Sequence, residues 1–469
     1  MTENDAFIDG FWPYRHDGTN YRAIPDKPAD RAAVLAEIRR MAGHEDEIGD
    51  EGKVSGSLYS GDHDHYRYLA EVFAEFSHAN VLQRDMYPSA TKFEGEIIAM
   101  ALDMVHGAEA GWGASGVVTS GGSESLVTAV FSYKEQAKAE RGVTRPNIVM
   151  PTTAHVALDK GAHWMDIEVR HAGVTSDYRA DVAAMAELVD DQTIAVVGSA
   201  VNYPHGVIDP IEALSELALS RGVGLHVDGC LGGFLLPWVE QVGYDVPLWD
   251  FRVPGVTSIS ADTHKYGYAL KGTSTLLYRS KDLRKYQYFT YPDWPGGLYL
   301  SPGLAGSRSG GLIASTWAAL ITTGADEYRE SARRIMGAAD IIRAGVDDID
   351  GVEVMGDPLW LIAFRASDPD IDIYLVNDRL KALGWRLNSL QLPPALHFCV
   401  TRPNTREGVA EAFVEALRDA VGYAREHAGE AAESGAMYGF GGTPQGNQTL
   451  NQLMSGVLDA MHEVAPEGV

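Results

Sequence analysis

The sequence predicts an α/β fold: a mostly parallel central sheet, a smaller α+β unit toward the C-terminal end, and an N-terminal arm. Three observations carry this. Between residues 147 and 280, short β-rich runs alternate with helical patterns, as expected of a parallel sheet covered by helices. At 292–311 the composition shifts to PDWPGGLYLSPGLAGSRSGG, with six Gly and three Pro, too many breakers for an element interior. Residues 1–57 hold aromatic and Pro/Gly-rich stretches (FWPYRHDG, PDKPAD) around a single helical pattern, which suits an arm wrapped on a partner.

In chain order, the arm's helical pattern runs from Arg31 to Met41, and helical apolar spacing recurs from Tyr66 to Phe76 and from Lys92 to Val105. An apolar turn then leads into TSGGSES at 119–125, which opens a helix from Leu126 to Arg141. NIVMP, DIEVRHA, TIAVVGSAV, VGLHVDG, VTSISADTH and STLLYRS read as strands, with helices such as Ile211 to Ser220 between several of them. After the breaker-rich loop comes a long helix. GVEVM, WLIAFRAS and ALHFCVT are the strands of the smaller unit, and TLNQLMSGVLDAMHEV closes the chain as an amphipathic helix. The expected division is an arm at 1–57, a large domain at 58–310, and a linker helix with a small domain at 311–469.

Composition narrows the function classes. The 469 residues are 45% hydrophobic and 22% charged, enough to bury a sizeable core. A net charge of −27 repels phosphate backbones and anionic membrane surfaces, so nucleic acid is not an expected partner. The start, MTENDAFIDGFWPYRHDG, has no basic and then apolar leader pattern, and no run of about 18 apolar residues occurs. Neither export nor a membrane span is expected. Two cysteines, Cys230 and Cys399, make no disulfide framework and lack metal-ligand spacing, which points to the cytoplasm and to no metal site.

Three segments carry chemistry. In Thr119–Ser125, small residues at a helix start let backbone N–H groups approach an anion at the positive end of the helix, with Gly122 and Ser123 at its centre. The same letters also read as a capped helix start, with Ser123 or Thr119 as the cap. Asp228 ends the apolar run Val223 to Val227, and a carboxylate at the C-terminal edge of a parallel strand lies in the ligand crevice, where it could keep a pyridinium nitrogen protonated. An Asp-Gly pair equally marks a turn. Lys265, after the strand in SISADTHK, lies where desolvation favours a neutral amine able to form a Schiff base, with His264 or Thr263 beside it for a phosphate. Together the glycine cradle, Asp228 and a lysine 37 positions later supply the contacts that pyridoxal 5'-phosphate requires. His155 is placed to stack on the pyridine ring, although a satisfied core histidine is the ordinary reading of any single His.

SGSLYSGD, TSGGSES, TTAHVALDKGAHW, VNYPHGVIDPI, HVDGCLGGFLLP, FRVPGVTSISADTHKYGYALKG, the DWPGGLY to AGSRSGG stretch and ALHFCVT together resemble the sphingosine-1-phosphate lyase family. The likeness runs from residue 55 to the last helix and matches the soluble bacterial branch. It implies the aspartate aminotransferase-like fold type I of the group II decarboxylase superfamily. By matching motif it makes Lys265 the Schiff-base lysine, Asp228 the pyridinium partner and His155 the stacking residue. Gly122, Ser123 and His264 then hold the cofactor phosphate, and Asn202 lies near the ring hydroxyl. Tyr59 and Lys271 would contact the substrate phosphate and assist proton transfer. Ser307 would belong to a loop presented across a homodimer, so that each site is built from two chains.

The chain departs from the family at Gln83, where a histidine is expected, at Gly229 in place of Ala, and at Leu270 in place of Pro. These bear on the substrate and not on the cofactor. The resemblance implies a retro-aldol cleavage in sphingolipid metabolism, in which a phosphorylated long-chain amino alcohol gives a fatty aldehyde and phosphoethanolamine. Two alternatives stay open: L-amino-acid decarboxylation, with Arg308 as the nearest carboxylate donor unless it serves a structural pair, and cleavage of a different β-hydroxy amine. A cofactor-free scaffold is disfavoured by the intact Lys, Asp and Gly set.

Overall fold

The computed structural model describes Tyr14 and residues 21–111, 113–435 and 444–462. Residues 1–13 and 15–20 of the expected arm, and the last residues of the closing amphipathic pattern, lie outside the described residues.

Seven strands form the central sheet: β1 (Ser115–Thr119), β2 (Asn147–Pro151), β3 (Glu168–Ala172), β4 (Thr193–Ser199), β5 (Gly224–Asp228), β6 (Ser258–Ala261) and β7 (Ser274–Tyr278). Their order is β1-β7-β6-β5-β4-β2-β3, and only β7 runs against its neighbours. NIVMP and TIAVVGS are buried at every position, because helices cover both faces of the parallel part. SGVV, expected as an apolar turn, is the edge strand β1. It has only five residues and one neighbour, β7, so its pattern lacks the continuous apolar run of a central strand.

This topology sets the site. The C-terminal ends of β1, β2, β4, β5 and β6 and the entry to the reversed β7 share one edge of the sheet. The segments after Thr119, Pro151, Ser199, Asp228 and Ala261, and the one before Ser274, therefore open on a common crevice.

A hairpin of β8 (Phe289–Tyr291) and β9 (Tyr299–Ser301) starts just ahead of the breaker-rich segment and returns within it. The helix Gly310–Asp347 follows and bends at Gly324, whose φ is 66°. A second, antiparallel sheet has the order β10-β11-β13-β12, from β10 (Val352–Val354), β11 (Leu361–Ala366), β12 (Asn388–Gln391) and β13 (Pro394–Cys399). The arm's helix runs from Arg31 to Asp50, capped by Asp30, well past Met41.

Residues 52–61 are tied to the C-terminal unit. Ser55 N–H donates to the Arg386 carbonyl at 2.9 Å, and the Ser55 hydroxyl accepts from Cys399 N–H at 2.9 Å. Gly56 and Gly61 have φ of 62° and 61°, and a Cβ at Gly61 would lie 2.4 Å from Pro403 Cγ. The glycines of SGSLYSGD are thus required by the backbone. They fold the segment against β13 and bury Tyr59 between them.

Candidate active site

Asp228 is the last residue of β5 and is buried. Its Oδ1 accepts from Cys230 N–H at 3.0 Å and from the Ser260 hydroxyl at 3.2 Å, which leaves Oδ2 for a ligand. Burial pushes this carboxyl up, but His155, Cys230 N–H and His226 outweigh it and hold the group below the usual carboxylate range. The charged form is the stable one, as a partner to a protonated ring nitrogen must be.

The Gly122–Arg141 helix begins without a side-chain cap. Neither Ser123 nor Thr119 caps it. The Thr119 hydroxyl instead meets the Ser125 hydroxyl at 2.7 Å, which in turn meets that of Ser274 at 2.9 Å. The first-turn N–H groups therefore remain available to an anion. Gly121 has φ 154°, and a Cβ built on Gly122 would lie 2.7 and 2.9 Å from the Asp262 carboxylate oxygens and 3.0 Å from Cys230 Sγ. Glycine is needed here for close approach.

His264 faces this cradle: its Cε1 is 3.5 Å from the Cβ position of Gly121, and its buried Nδ1 has no hydrogen-bond partner among the described residues. Burial lowers its pKa. Thr263, the alternative phosphate ligand, has its hydroxyl committed to Thr273 at 2.7 Å. An uncapped helix start, an orphaned imidazole nitrogen and an ionised carboxylate on the sheet edge together fit a phosphorylated pyridine cofactor.

Lys265 Nζ lies 3.0 Å from Asp262 Oδ2. Burial pushes the lysine down, but the Asp262 carboxylate more than reverses this and holds it above the ordinary lysine value. The expectation that desolvation alone would leave this amine neutral is therefore corrected. Lys271 is the lysine that goes down, through burial and the repulsion of Lys265. Its Nζ sits 4.7 Å above the Tyr59 ring. Tyr59 stands edge-on to Tyr266 with centroids 5.0 Å apart, and burial raises its hydroxyl pKa.

His155 accepts from Ala157 N–H at Nδ1 (3.1 Å), which fixes the ring's orientation and tautomer, and it meets the Tyr203 ring edge-on. Asn202 donates to the Tyr178 carbonyl (3.1 Å) and accepts from His205 N–H (3.0 Å), so its amide ties its own turn to the segment after β3. Ser307 makes its side-chain hydrogen bond outside the Lys265 cluster. It is exposed, with its hydroxyl 3.0 Å from Asn80 Nδ2, and the exposed Gln83 lies in the same loop as Asn80. Arg308 is a structural group: it holds Glu94 at 2.9 and 3.2 Å and the Val118 carbonyl at 2.9 Å.

Two residues escaped the sequence reading. Asp262 stood in the quoted SISADTHK, and a carboxylate three residues before a lysine after a strand was the signal. Tyr203 is partly exposed and stands edge-on to both His155 and His397, and nothing in VNYPHG marked it.

The model of the pyridoxal-dependent decarboxylase conserved domain matches residues 17–367. Sphingosine-1-phosphate lyase of Dictyostelium discoideum is 39% identical over 441 residues, which is 93% of this chain and 82% of that protein. The solved structure of a sphingosine-1-phosphate lyase from Burkholderia pseudomallei superposes with a TM-score of 0.90 at 43% identity, covering 96% of this chain and 99% of that one. Glutamate decarboxylase of Lactobacillus brevis shares the fold, with a TM-score of 0.74 at 23% identity over 89% of this chain and 98% of that one.

Proposed function

The chain belongs to the sphingosine-1-phosphate lyase family of pyridoxal-dependent enzymes, and from that premise we propose a division of labour among its residues. It is a pyridoxal-phosphate-dependent lyase that cleaves a phosphorylated long-chain amino alcohol to a fatty aldehyde and phosphoethanolamine. The bound cofactor supplies an electron sink, into which a bond at the amine-bearing carbon breaks when it stands perpendicular to the ring.

Lys265 bonds the cofactor, Asp228 keeps its ring nitrogen protonated, and His155 lies against the ring. The N–H groups around Gly122 and Ser123, with His264, hold its phosphate, while the remaining N–H of Asn202 is left for the ring hydroxyl. Lys271, with its lowered pKa, is the group suited to accept the proton of the substrate's β-hydroxyl. Tyr59, with its raised pKa, stays a hydrogen-bond donor next to it. The observation that carries the lyase reading over decarboxylation is this Lys271–Tyr59 pair, set against an Arg308 already consumed by Glu94 and Val118. Lys271→Ala tests it: aldehyde release should fall steeply, with loss of the preference for the phosphorylated over the unphosphorylated amino alcohol. A variant that keeps both rate and preference refutes the assignment.

The working unit we propose is a homodimer with shared sites, located in the cytoplasm. Ser307 and Gln83, joined through Asn80, are both exposed, and the neighbouring hairpin exposes Phe289, Trp294, Leu298 and Leu300, which supports burial against a second copy. Among the described residues no helix is long and apolar enough to cross a membrane. Mixing a Lys265→Ala chain with a Ser307→Asp chain should restore part of the activity if sites are shared. No recovery counts against it.

A further inference from the structure

Asp262 has no place in that division of labour, yet its carboxylate occupies the centre of the site. It is 2% exposed at the side chain, with Oδ2 3.0 Å from Lys265 Nζ and 3.7 Å from His264 Nε2, and its buried Oδ1 has no hydrogen-bond partner among the described residues. Both oxygens fill the space a Cβ on Gly122 would take, at the start of the Gly122–Arg141 helix. A carboxylate bound to one ammonium, half unsatisfied, stands where an anionic phosphate is to be held.

We propose that Asp262 is a positioning residue for cofactor attachment, holding Lys265 as an ammonium until the cofactor arrives and then accepting its proton. The inference rests on the reading that Lys265 bonds the cofactor. The step balances without another reactant. The ammonium gives one proton to Asp262 Oδ2, and the freed lone pair attacks the aldehyde carbon. The C–N double bond forms as the carbonyl oxygen leaves in water with the two remaining protons of the amine. Lysine and carboxylate both end neutral. The neutral carboxyl then no longer repels the phosphate at the same helix start, and its O–H can serve as a donor there.

The charged and titratable groups around Lys265 leave Asp262 as the natural acceptor. His264, from the same turn, is pushed toward neutrality by burial, and Lys271, ahead of β7, is lowered by burial and by Lys265 itself, so both are poorer acceptors than the carboxylate. Tyr59, Cys230 and Cys399 face the amine from three other segments, and burial raises the pKa of each, so they hold their own protons. The carboxylate is also what reverses the effect of burial on Lys265.

Loading of the cofactor-free full-length chain with pyridoxal 5'-phosphate, followed by absorbance across a pH series, tests this. An opposite charge at this distance moves a pKa by about 1–3 units, so Asp262→Asn should move the loading profile to lower pH by that amount. Asp262→Glu should return the profile toward the wild type. An unmoved profile overturns the proposal. Should the asparagine variant not fold, the wild type decides: in competitive acylation of the cofactor-free chain, Lys265 should react only at higher pH than Lys271, and the reverse order overturns the proposal. Borohydride reduction and peptide mapping separate the two levels of the argument. A tag on a lysine other than Lys265 refutes the underlying reading, whereas a tag on Lys265 with an unmoved profile refutes only the role of Asp262.

Discussion

Replacing Gly122 by alanine adds one methyl group at the point where helix, strand and lysine turn converge. The added carbon would stand 2.7 Å and 2.9 Å from the Asp262 oxygens and 3.0 Å from Cys230 Sγ. None of these atoms yields freely, since Asp262 is held by Lys265 and Cys230 Sγ lies 3.3 Å from the Ser260 hydroxyl. Gly122 is not at positive φ, so the backbone itself accepts alanine and the effect is one of packing. Overpacking of this kind costs about 1–3 kcal/mol. Relieved by opening the cradle, that is about a 5- to 150-fold loss in cofactor affinity. Gly337→Ala is the matched control, because it sits in a helix with no atom within 4 Å of the new Cβ. It should leave cofactor affinity unchanged and raise stability by about 0.5–1 kcal/mol. Absorbance titration of each cofactor-free variant with pyridoxal 5'-phosphate reads the constants. A Gly122→Ala chain that binds as tightly as the wild type, or a Gly337→Ala chain that weakens equally, refutes the reasoning.

Glu94 bridges Arg308 and Arg84 and accepts Val118 N–H at 3.2 Å, so it braces the open side of β1. Burial raises its pKa, but the two guanidiniums lower it further, so Glu94→Gln should cost about 3–5 kcal/mol in urea unfolding, and a loss under about 1 kcal/mol would contradict the bracing role. His205, His226 and His397 are each lowered to about 4, chiefly by burial. Because the unfolded chain takes up protons on these rings near pH 6.5, their neutral packing is fully stabilising above that value. The stability is lost as pH falls from 6.5 toward about 4. Urea midpoints should decline steadily over that window, and a flat profile from pH 7 to 5 would refute it.

Why much of this was readable from the sequence lies in the parallel sheet. TIAVVGS and NIVMP are buried on both faces and so announce themselves as unbroken apolar runs, while Asp228 is marked as the polar end of such a run. The edge strands β1 and β12 gave no such signal. β1 has one neighbour and a glycine, and β12 carries no fully buried residue, so neither shows an apolar pattern. The direction in which Lys265 titrates was also out of reach. It depends on a 3.0 Å contact with Asp262, and sequence gives the spacing of two charges but not whether they meet. Arg308 was ambiguous for the same reason until Glu94, over two hundred positions away, was found bound to it.

Cleavage in deuterated water tests the central claim most directly. With a phosphorylated long-chain amino alcohol as substrate, the account predicts fatty aldehyde and phosphoethanolamine in equal amounts, with one deuterium on the carbon next to nitrogen. It predicts no carbon dioxide from amino acids. Carbon dioxide released from an L-amino acid, with the amino alcohol recovered intact, would contradict it and leave only the pyridoxal-phosphate chemistry standing.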